Sequence, residues 1–148
     1  MKIATWNVNS LNVRLPHVLE CLTSANPDVL VLQEIKQVTD AFAANAFSEI
    51  GYQSVASGQK TYNGVAVISR ESATEIVTDF PGFEDPQRRI LAATIDGIRV
   101  VNLYVPNGNY VGSEKYEDKL AWLKALKGFL EDELKTHGKL VVLGDFNI

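Results

Sequence analysis

The sequence predicts an α/β fold in which helices flank a mixed β-sheet. Short runs of consecutive apolar residues, typical of buried strands, alternate along the chain with runs whose apolar residues recur at helical spacing. Helices between strands favour parallel pairs, whereas the Asp96-Gly97 turn joins two apolar runs that must be antiparallel. We therefore expect one sheet that contains both kinds of pairing.

The first half of the chain supplies strands, helices and a hairpin. It begins with the apolar strand KIATWNV, followed by the helix RLPHVLECLTSA, in which Pro16 suits the first turn and Pro27 follows the end. Next comes DVLVLQE, continuously apolar as expected of a strand that is covered on both faces. A short helix, DAFAANAFSEI, is predicted to end at Gly51, and YQSVASG and GVAVISR are predicted to pair as a hairpin.

The second half contains a tight hairpin, a long helix and a last strand. The strands ILAATI and IRVVNLYV flank Asp96-Gly97, and the chain closes with the strand KLVVLGD. Between them, residues 113–136 form an amphipathic pattern with Ser113 as the N-cap and Gly138 as the stop. The predicted buried stripe of this helix consists of Leu120, Leu123, Leu130 and Leu134.

The composition is that of one globular domain and narrows the classes of partner. The 148 residues are 46% hydrophobic and carry a net charge of −4, whereas a protein that holds nucleic acid by charge alone is expected to be basic. A divalent cation held by carboxylates would reconcile an acidic protein with a phosphate substrate, because the ion supplies the positive charge.

Two further features bear on the cellular setting. No apolar run approaches the roughly 20 residues that span a bilayer, which predicts no membrane insertion. The single cysteine, Cys21, excludes an internal disulfide and suits the reducing cytoplasm. Within its helix, Cys21 is predicted to be a buried, inert thiol rather than a nucleophile.

Polar side chains follow four of the predicted strands at the point where each strand ends. In open α/β sheets, ligands bind beyond the carboxyl ends of the strands, so parallel strands would bring these tips together. The residues at the tips are Asn7 and Asn9, Gln33 and Glu34, Tyr104 and Asn107, and Asp145 and Asn147.

The side chains at these tips suit a hard divalent cation. Glu34 and Asp145 supply carboxylate oxygens, and Asn7 and Asn147 add amide oxygens, or N–H groups that bind phosphate. Magnesium takes about six oxygen ligands, usually with water among them, and the chain has no cysteine–histidine spacing typical of structural zinc. The set predicts a Mg²⁺ or Mn²⁺ site for phosphate chemistry.

Each of these residues also has an ordinary structural explanation. An asparagine after a strand is a common turn former, a glutamate there can be a solvated strand end, and a tyrosine such as Tyr104 is often part of the core or its rim. The functional interpretation depends on four polar tips at equivalent places.

Six motifs occur in order along the whole chain: WNVNSLNVR, PDVLVLQEIK, YNGVAVISR, FPGFEDPQRR, VNLYVPNG and LGDFNI. Together they resemble the exonuclease III family of apurinic/apyrimidinic endonucleases, within the endonuclease/exonuclease/phosphatase superfamily that also contains deoxyribonuclease I. LQE and GDFN alone mark only the superfamily, whereas FPG with QRR, and YVPNG, point to the exonuclease III branch.

The resemblance implies roles for the residues at the strand tips. Glu34 is implied to be the principal metal carboxylate, assisted by Asn7. Asp145 is implied to orient or deprotonate the attacking water, beside the metal. Tyr104 is implied to lie at the scissile phosphate, and Asn147 to bind phosphate next to Asp145.

The same resemblance implies a substrate and a reaction. The substrate is double-stranded DNA with abasic or 3′-blocked sites, and the reaction is metal-dependent phosphodiester hydrolysis in DNA repair, as an abasic-site endonuclease, a 3′-exonuclease or both. Asn107 is implied to contact the same phosphate region. Arg89 either touches the DNA backbone or pairs inside the protein, and the sequence leaves both open.

The resemblance also implies parts that this chain does not contain. The fold of the family is a deoxyribonuclease I-like, four-layer α/β sandwich of roughly 250 residues, and neither His17 nor His137 matches its final Asp-His motif. We therefore expect residues 1–148 to form a single, incomplete domain, the N-terminal lobe. The sheet of this lobe is expected to expose an apolar face that a second sheet would cover.

Three interpretations follow. The first is a DNA-repair nuclease, with this chain inactive alone because it lacks the C-terminal lobe. The second is a non-catalytic half-domain or remnant that associates with itself, or with a missing C-terminal lobe, through its exposed sheet. The third is a superfamily phosphatase acting on inositol or lipid phosphates, which FPGFEDPQRR and YVPNG disfavour.

Overall fold

Two four-stranded sheets form the centre of the protein, where the sequence predicts one sheet. The structure is a computed structural model that describes residues 1–148. Sheet A contains β1 to β4 and sheet B contains β5 to β8. The elements are β1 (Ile3–Asn7), α1 (Leu11–Ala25), β2 (Val29–Gln33), a 3-10 turn (Thr39–Ala41), α2 (Ala44–Ser48), β3 (Gln53–Ser57), β4 (Val65–Ser69), β5 (Thr74–Val77), β6 (Ile90–Ile95), β7 (Ile98–Tyr104), α3 (Glu114–Thr136) and β8 (Leu140–Asp145).

Each sheet contains one parallel pair of strands, and its other neighbouring strands are antiparallel. Sheet A has the order β1-β2-β4-β3 and sheet B the order β5-β6-β7-β8. The parallel pairs are β1 with β2 and β7 with β8. The α/β class and the mixed pairing are confirmed, but the expectation of a single sheet is wrong, because the order of strands depends on contacts between distant segments that no local pattern encodes.

The two sheets pack face to face, with helices on both outer surfaces. Between the sheets lies an apolar layer that includes Val31 and Val67 of sheet A and Leu91 and Val100 of sheet B. Helices α1 and α2 cover the outer face of sheet A, and α3 covers that of sheet B. All four layers of the sandwich therefore lie within this chain, and the expected uncovered apolar face is absent.

The two sheets end in four edge strands, β1 and β3 in sheet A and β5 and β8 in sheet B. Strands β1 and β8 each pair on one side only, with β2 and β7, and they lie beside each other. All six residues of β8 are half-buried, whereas all five residues of β2 are buried. The four strand tips thus come from two parallel pairs, one in each sheet, that meet along the edges of β1 and β8.

Local signals located several elements correctly. Asp96 and Gly97 both have positive φ, as a two-residue type I′ turn requires, and Ile95 pairs with Ile98 across the turn. The β3–β4 hairpin forms as expected. The hydroxyl of Ser113 accepts a hydrogen bond from the backbone N–H of Tyr116 at 3.1 Å and so caps α3.

Other local expectations were wrong. Helix α1 begins at Leu11, which places Pro16 in its second turn rather than its first, and the segment before Gly51 is a 3-10 turn followed by a five-residue helix. Cys21 is half-buried rather than buried. Strand β5 was not anticipated, because its four residues are mostly exposed and carry little apolar signal.

The buried face of α3 is rotated from the stripe of leucines. Leu120 and Leu134 are 44% and 62% exposed, and Leu123 and Leu130 are only partly buried. The face that packs on sheet B is formed instead by Trp122, Leu126, Phe129 and Glu133. None of the helices combines the length and apolar composition that a membrane span requires.

Candidate active site

The carboxylates of Glu34 and Asp145 meet at a single amide group. The side-chain nitrogen of Asn7, at the end of β1, donates to Glu34 Oε2 and to Asp145 Oδ2, each at 2.7 Å. Glu34 directly follows β2 in sheet A, and Asp145 ends β8 in sheet B. The convergence of strand tips is therefore real, and it takes place across the two sheets.

Asn7 lies at the predicted metal site, but its side chain directs N–H groups, not its oxygen, toward the two carboxylates. Its amide oxygen accepts the backbone N–H of Asn9 at 3.0 Å, which turns its N–H groups toward the two carboxylates. Asn7 could offer its oxygen to a cation only after the amide turned about its Cβ–Cγ bond. The arrangement offsets part of the repulsion between Glu34 and Asp145.

Lys36 and Asn9 complete the polar surroundings of Glu34. The ammonium group of Lys36 donates to Asn9 Oδ1 at 2.6 Å and lies 3.9 Å from Glu34 Oε1. Lys36 was not among the predicted site residues, and Asn9 was noted only as a residue at a strand tip. The signal available in the sequence was the position of Lys36 two residues after Glu34, in the motif QEIK.

The backbone of these loops adopts the left-handed conformation at several residues other than glycine. Glu34 and Lys36 have φ of 55° and 56°, Asn9 has φ of 43°, and Asn147 has φ of 51°. This conformation costs energy for a residue with a Cβ and is concentrated at functional sites. It lets the chain leave each strand sharply, so that successive side chains turn back toward the same point.

Tyr104 ends β7 beneath the guanidinium group of Arg89. The guanidinium carbon lies 4.7 Å from the centre of the Tyr104 ring, and Nη1 of Arg89 donates to the Tyr104 carbonyl at 3.2 Å. Nε of Arg89 donates to Gln87 at 2.9 Å. Of the two roles left open for Arg89, the structure therefore contains the internal pairing, which holds the tyrosine ring in place.

Burial perturbs both members of this stack. The pKa of Tyr104 is raised, first by burial and then by the nearby Glu34 carboxylate, while Arg89 acts in the opposite direction. Burial lowers the pKa of Arg89, and the hydroxyl of Tyr104 partly offsets this effect. Tyr104 consequently keeps its proton at neutral pH and can act as a hydrogen-bond donor.

Asn147 joins the tips of β7 and β8. Its side-chain nitrogen donates to the Val105 carbonyl at 2.8 Å, and its backbone N–H donates to Asp145 Oδ1 at 3.0 Å. Nζ of Lys119, from α3, donates to the Asn147 carbonyl at 2.9 Å. Both oxygens of the Asp145 carboxylate are thus held, one by Asn147 and the other by Asn7.

Asn107 lies apart from the carboxylates, in a neighbouring cleft. It is exposed, and its side-chain oxygen accepts the backbone N–H of Asn109 at 2.9 Å, as in an ordinary turn. The cleft has a volume of about 430 Å³, and Arg89 and Lys115 also line it. The structure therefore brings Asn107 and Arg89 to one polar cleft beside Tyr104, which Lys115 and Asp118 also line.

A second cleft opens at Asp145, on the side of the site away from Glu34, which does not line it. Its volume is about 440 Å³, and Asn7, Gln33, Asp145 and Asn147 are among its lining residues. No group of three or more histidine, cysteine, aspartate or glutamate side chains occurs that could hold a metal ion. Two carboxylates with neighbouring amides are nevertheless a donor set that fits Mg²⁺, which commonly uses one or two carboxylates together with water and substrate oxygens.

A family model described as the endonuclease/exonuclease/phosphatase family matches residues 4–148. The chain belongs to the endonuclease/exonuclease/phosphatase family. The resemblance drawn from its motifs is therefore confirmed, and the deoxyribonuclease I-like fold class with it.

Individual members of the endonuclease/exonuclease/phosphatase family match over the whole chain. Exodeoxyribonuclease III of Haemophilus influenzae is 34% identical, and the match covers 58% of that protein. The structure of the 3′ phosphatase NExo from Neisseria bound to a product DNA hairpin is 52% identical with a TM-score of 0.98, and that of an AP endonuclease from Archaeoglobus fulgidus is 40% identical with a TM-score of 0.93. The chain covers 58% of each of these two structures, so it spans little more than half the length of these relatives.

Proposed function

We propose that this protein hydrolyses phosphate ester bonds in DNA with the help of a divalent metal ion, as part of DNA repair. The observation that carries the proposal is the meeting of the Glu34 and Asp145 carboxylates at the Asn7 amide, beside the protonated hydroxyl of Tyr104. Membership of the family supports it, since the related proteins are DNA hydrolases. We also expect the protein to work in the cytoplasm.

The donor set at the strand tips would hold Mg²⁺ or Mn²⁺. Glu34 and Asp145 would supply carboxylate oxygens and Asn147 an amide oxygen, and Asn7 would supply its amide oxygen once its side chain had turned away from the carboxylates. When bound, the ion neutralises phosphate charge and stabilises the leaving oxygen. Enzymes of this family are metal-dependent in general.

Asp145 would take the proton of the attacking water. One of its oxygens accepts the backbone N–H of Asn147 at 3.0 Å, a contact that does not depend on how the Asn7 amide is turned. A carboxylate fixed in this way presents its remaining lone pairs in a constant direction, as a general base needs. The side chain of Asn147 would lie next to the phosphate that this water attacks.

Tyr104 would donate a hydrogen bond to an oxygen of the scissile phosphate. A tyrosine hydroxyl is protonated at neutral pH, and the stacked guanidinium group of Arg89 fixes the direction in which the ring points. In the cleft alongside, Arg89, Asn107 and Lys115 would contact flanking phosphates. Local cations of this kind, together with the metal ion, allow an acidic protein to bind a polyanion.

Two DNA substrates follow from the relatives: a duplex with an abasic site, and a duplex with a phosphate at its 3′ end. An abasic-site cut fits the similarity to an AP endonuclease, and removal of the 3′ group fits the similarity to a 3′ phosphatase. Because the relatives are longer, we propose that full activity needs a C-terminal portion that adds the rest of the DNA-binding groove.

Labelled duplexes of both kinds test the proposal, with products separated on a gel in the presence of Mg²⁺. We compare the 148-residue chain with a chain extended to the length of the relatives. The extended chain should cleave and should lose roughly 10²–10³-fold or more in rate on Asp145→Asn, while the short chain stays near background. Glu131→Gln, at an exposed carboxylate on α3, is the control and should leave the rate unchanged.

Three outcomes would count against parts of the proposal. Fast, Glu34-dependent cleavage by the 148-residue chain would remove the need for a C-terminal portion. An extended chain that releases phosphate from inositol or lipid phosphates but leaves both duplexes intact would favour the phosphatase interpretation. An extended, folded chain without hydrolytic activity would favour a non-catalytic half-domain.

A further inference from the structure

A chain of buried amide side chains joins the two sheets directly beneath the candidate active site. Asn102 of β7 is fully buried and donates the N–H groups of its amide to the carbonyl oxygens of Leu32 and Ala66 in sheet A, each at 2.9 Å. Its amide oxygen accepts from Nε2 of Gln33 at 2.8 Å, and Gln33 also donates to the hydroxyl of Thr5 at 2.9 Å. The hydrogen-bonding groups of Asn102 are thus all directed across the interface between the sheets.

The rest of this interface is apolar. Val29, Val31, Val65, Val67, Leu91, Ala93, Ile95 and Val100 fill it, all essentially inaccessible to solvent. Buried amides lose their hydration, and replacing both partners of such a pair by apolar residues of similar shape is often neutral or stabilising. The contact between the Gln33 and Asn102 amides is therefore not required by itself to hold the sheets together.

The position of the network along the strands suggests what the amides do. Apolar contacts are non-directional and allow two sheets to shift relative to each other, whereas hydrogen bonds fix both distance and direction. Each side chain of the network lies one or two residues before a residue of the candidate site. Thr5 precedes Asn7, Gln33 precedes Glu34, and Asn102 precedes Tyr104.

We propose that Asn102 and Gln33 are positioning residues that fix sheet B relative to sheet A, so that the groups at the tips of both sheets stand at the spacing that a metal ion and a phosphate require. This inference rests on the proposed function, because the spacing of the sheets matters for hydrolysis only if groups from both sheets act together. Glu34 follows a strand of sheet A, whereas Asp145 and Tyr104 belong to sheet B. Thr5 and Gln33 also line the cleft at Asp145, so the network reaches from the interface between the sheets to the wall of this cleft.

The test replaces both amides at once, in Gln33→Leu/Asn102→Leu, so that neither is left unpaired. Val100→Ala is the matched control, because Val100 lies two residues before Asn102 on the same face of β7 and packs in the same interface. We measure the affinity for Mn²⁺ by titration calorimetry. The pair should lose at least tenfold in affinity while staying folded, whereas Val100→Ala should lower the melting temperature and keep the affinity within twofold.

A second measurement needs no metal and so separates this proposal from the proposed function. The side-chain amide resonances of Asn7, assigned by their loss in Asn7→Ser, report its hydrogen bonds to Glu34 and Asp145. In metal-free protein these resonances should move in the double variant and stay in place in Val100→Ala. If the double variant does not fold, Thr5→Val, which removes only the outermost hydroxyl of the network, should move the same resonances by a smaller amount.

Unchanged Asn7 resonances and unchanged Mn²⁺ affinity in the folded double variant would overturn the proposal. If the double variant does not fold, unchanged Asn7 resonances in Thr5→Val would overturn it. Wild-type protein that binds no Mn²⁺ but whose Asn7 resonances respond to the double variant would contradict the proposed function and support the positioning role.

Discussion

Glu34 has an unfavourable backbone conformation and a carboxylate with several polar neighbours. Its φ of 55° lies in the left-handed region, and its carboxylate is surrounded by the Asn7 amide, the Lys36 ammonium group and Tyr104. A residue with a Cβ is strained in this conformation unless the surroundings determine it, and such strain accompanies function more often than packing. At the scale of single residues, we therefore expect a change of the Glu34 side chain to affect metal binding more than folding.

The first prediction concerns metal binding by Glu34. Glu34→Gln keeps an oxygen that can accept from Asn7 but removes one of the two negative charges at the site. We expect the affinity for Mn²⁺ to fall at least tenfold with little change in melting temperature, because the paired carboxylates supply the charge that a hard cation requires. Calorimetric titration measures this, with Glu131→Gln as the control. Equal binding by wild type and Glu34→Gln would contradict the role of Glu34.

The second prediction concerns alkaline pH. Burial raises the pKa of Tyr104 and of Tyr52 above the ordinary value of 10.0. The folded state therefore holds these protons more tightly than the unfolded state does, so this contribution to stability is complete below pH 10 and is lost as pH rises through the folded pKa. The melting temperature should fall above pH 10, and it should fall less steeply in Tyr104→Phe.

Thermal unfolding between pH 8 and 11 measures this difference. The control is Tyr62→Phe, at a tyrosine that is 66% exposed, which should follow the wild-type curve. Identical alkaline slopes for wild type and Tyr104→Phe would show that the hydroxyl of Tyr104 is not in the environment described here.

At the scale of elements, β8 delivers Asp145 because a glycine lets it approach β7 closely. Gly144 has φ of 141°, and a Cβ on it would lie 2.0 Å from the Leu103 carbonyl oxygen. Any side chain at this position would push the end of β8 away from β7. The glycine of the GDFN motif is therefore explained by backbone contact, and it determines where the following aspartate stands.

The third prediction follows for Gly144→Ala. Backbone strain and overpacking each cost about 1–3 kcal/mol, so we expect the free energy of unfolding to fall by about 3 kcal/mol. Gly138→Ala is the control, since a Cβ there meets nothing within 4 Å and φ is not positive; it should be neutral or stabilising by up to about 1 kcal/mol. Denaturant unfolding measures both, and equal effects at the two glycines would contradict the steric explanation.

The fourth prediction tests which face of α3 is buried. Phe129 is 7% exposed and its ring lies 5.5 Å from that of Phe80, whereas Leu134 is 62% exposed. Phe129→Ala should destabilise the protein by about 3–5 kcal/mol, and Leu134→Ala should change stability by no more than about 0.5 kcal/mol. Denaturant unfolding compares the two variants. A larger effect at Leu134 would restore the leucine stripe as the buried face.

At the scale of the whole molecule, the sandwich is closed through its four layers, and its sheets end in four edge strands, of which β1 and β8 lie beside each other. The apolar layer between the sheets is filled, so no sheet face awaits a partner. Strands β1 and β8 remain unpaired along their outer edges, and unpaired edges of this kind pair readily with other chains. Association, with a second copy or with a C-terminal portion, is therefore expected through backbone pairing at these edges.

The fifth prediction is concentration-dependent self-association of the 148-residue chain, measured by sedimentation. Val141→Lys places a charge on β8, where Val141 is half-buried, and should shift the chain toward monomer because edge lysines oppose strand pairing. Val13→Lys, at a valine of α1 that is 59% exposed, is the control and should associate as the wild type does. A wild-type chain that stays monomeric across the concentration series would contradict association through the edges.

Local chemistry explains which parts of the structure were predictable. The Asp96-Gly97 turn and the Ser113 cap depend on a few adjacent residues, so their signals are complete in the sequence. The buried face of α3 was misplaced because it is selected by its partners. Phe80 contacts Trp122 and Phe129, and the buried Arg99 pairs with Glu133 at 3.0 Å.

The candidate site was predictable in its main residues but not in its arrangement. Glu34 and Asp145 could be selected from the sequence because each directly follows or ends an apolar strand. In α/β sheets, ligands bind beyond the carboxyl ends of the strands. That Asn7 turns its N–H groups toward both carboxylates, and that Lys36 approaches Glu34, follows from left-handed backbone conformations beyond the strands. Such conformations are signalled by glycine and to some extent by asparagine, but not by residues such as Glu34 and Lys36.

The sequence by itself determined the α/β class, the family and the polar residues at the strand tips, because apolar periodicity, turn chemistry and motif order are properties of neighbouring residues. Only the tertiary structure decided that the strands form two sheets and that Asn102 and Gln33 join them. It also decided that Asn7 stands between Glu34 and Asp145. These contacts join residues far apart in the chain, and they form only when the packing of the whole molecule brings both sheets together.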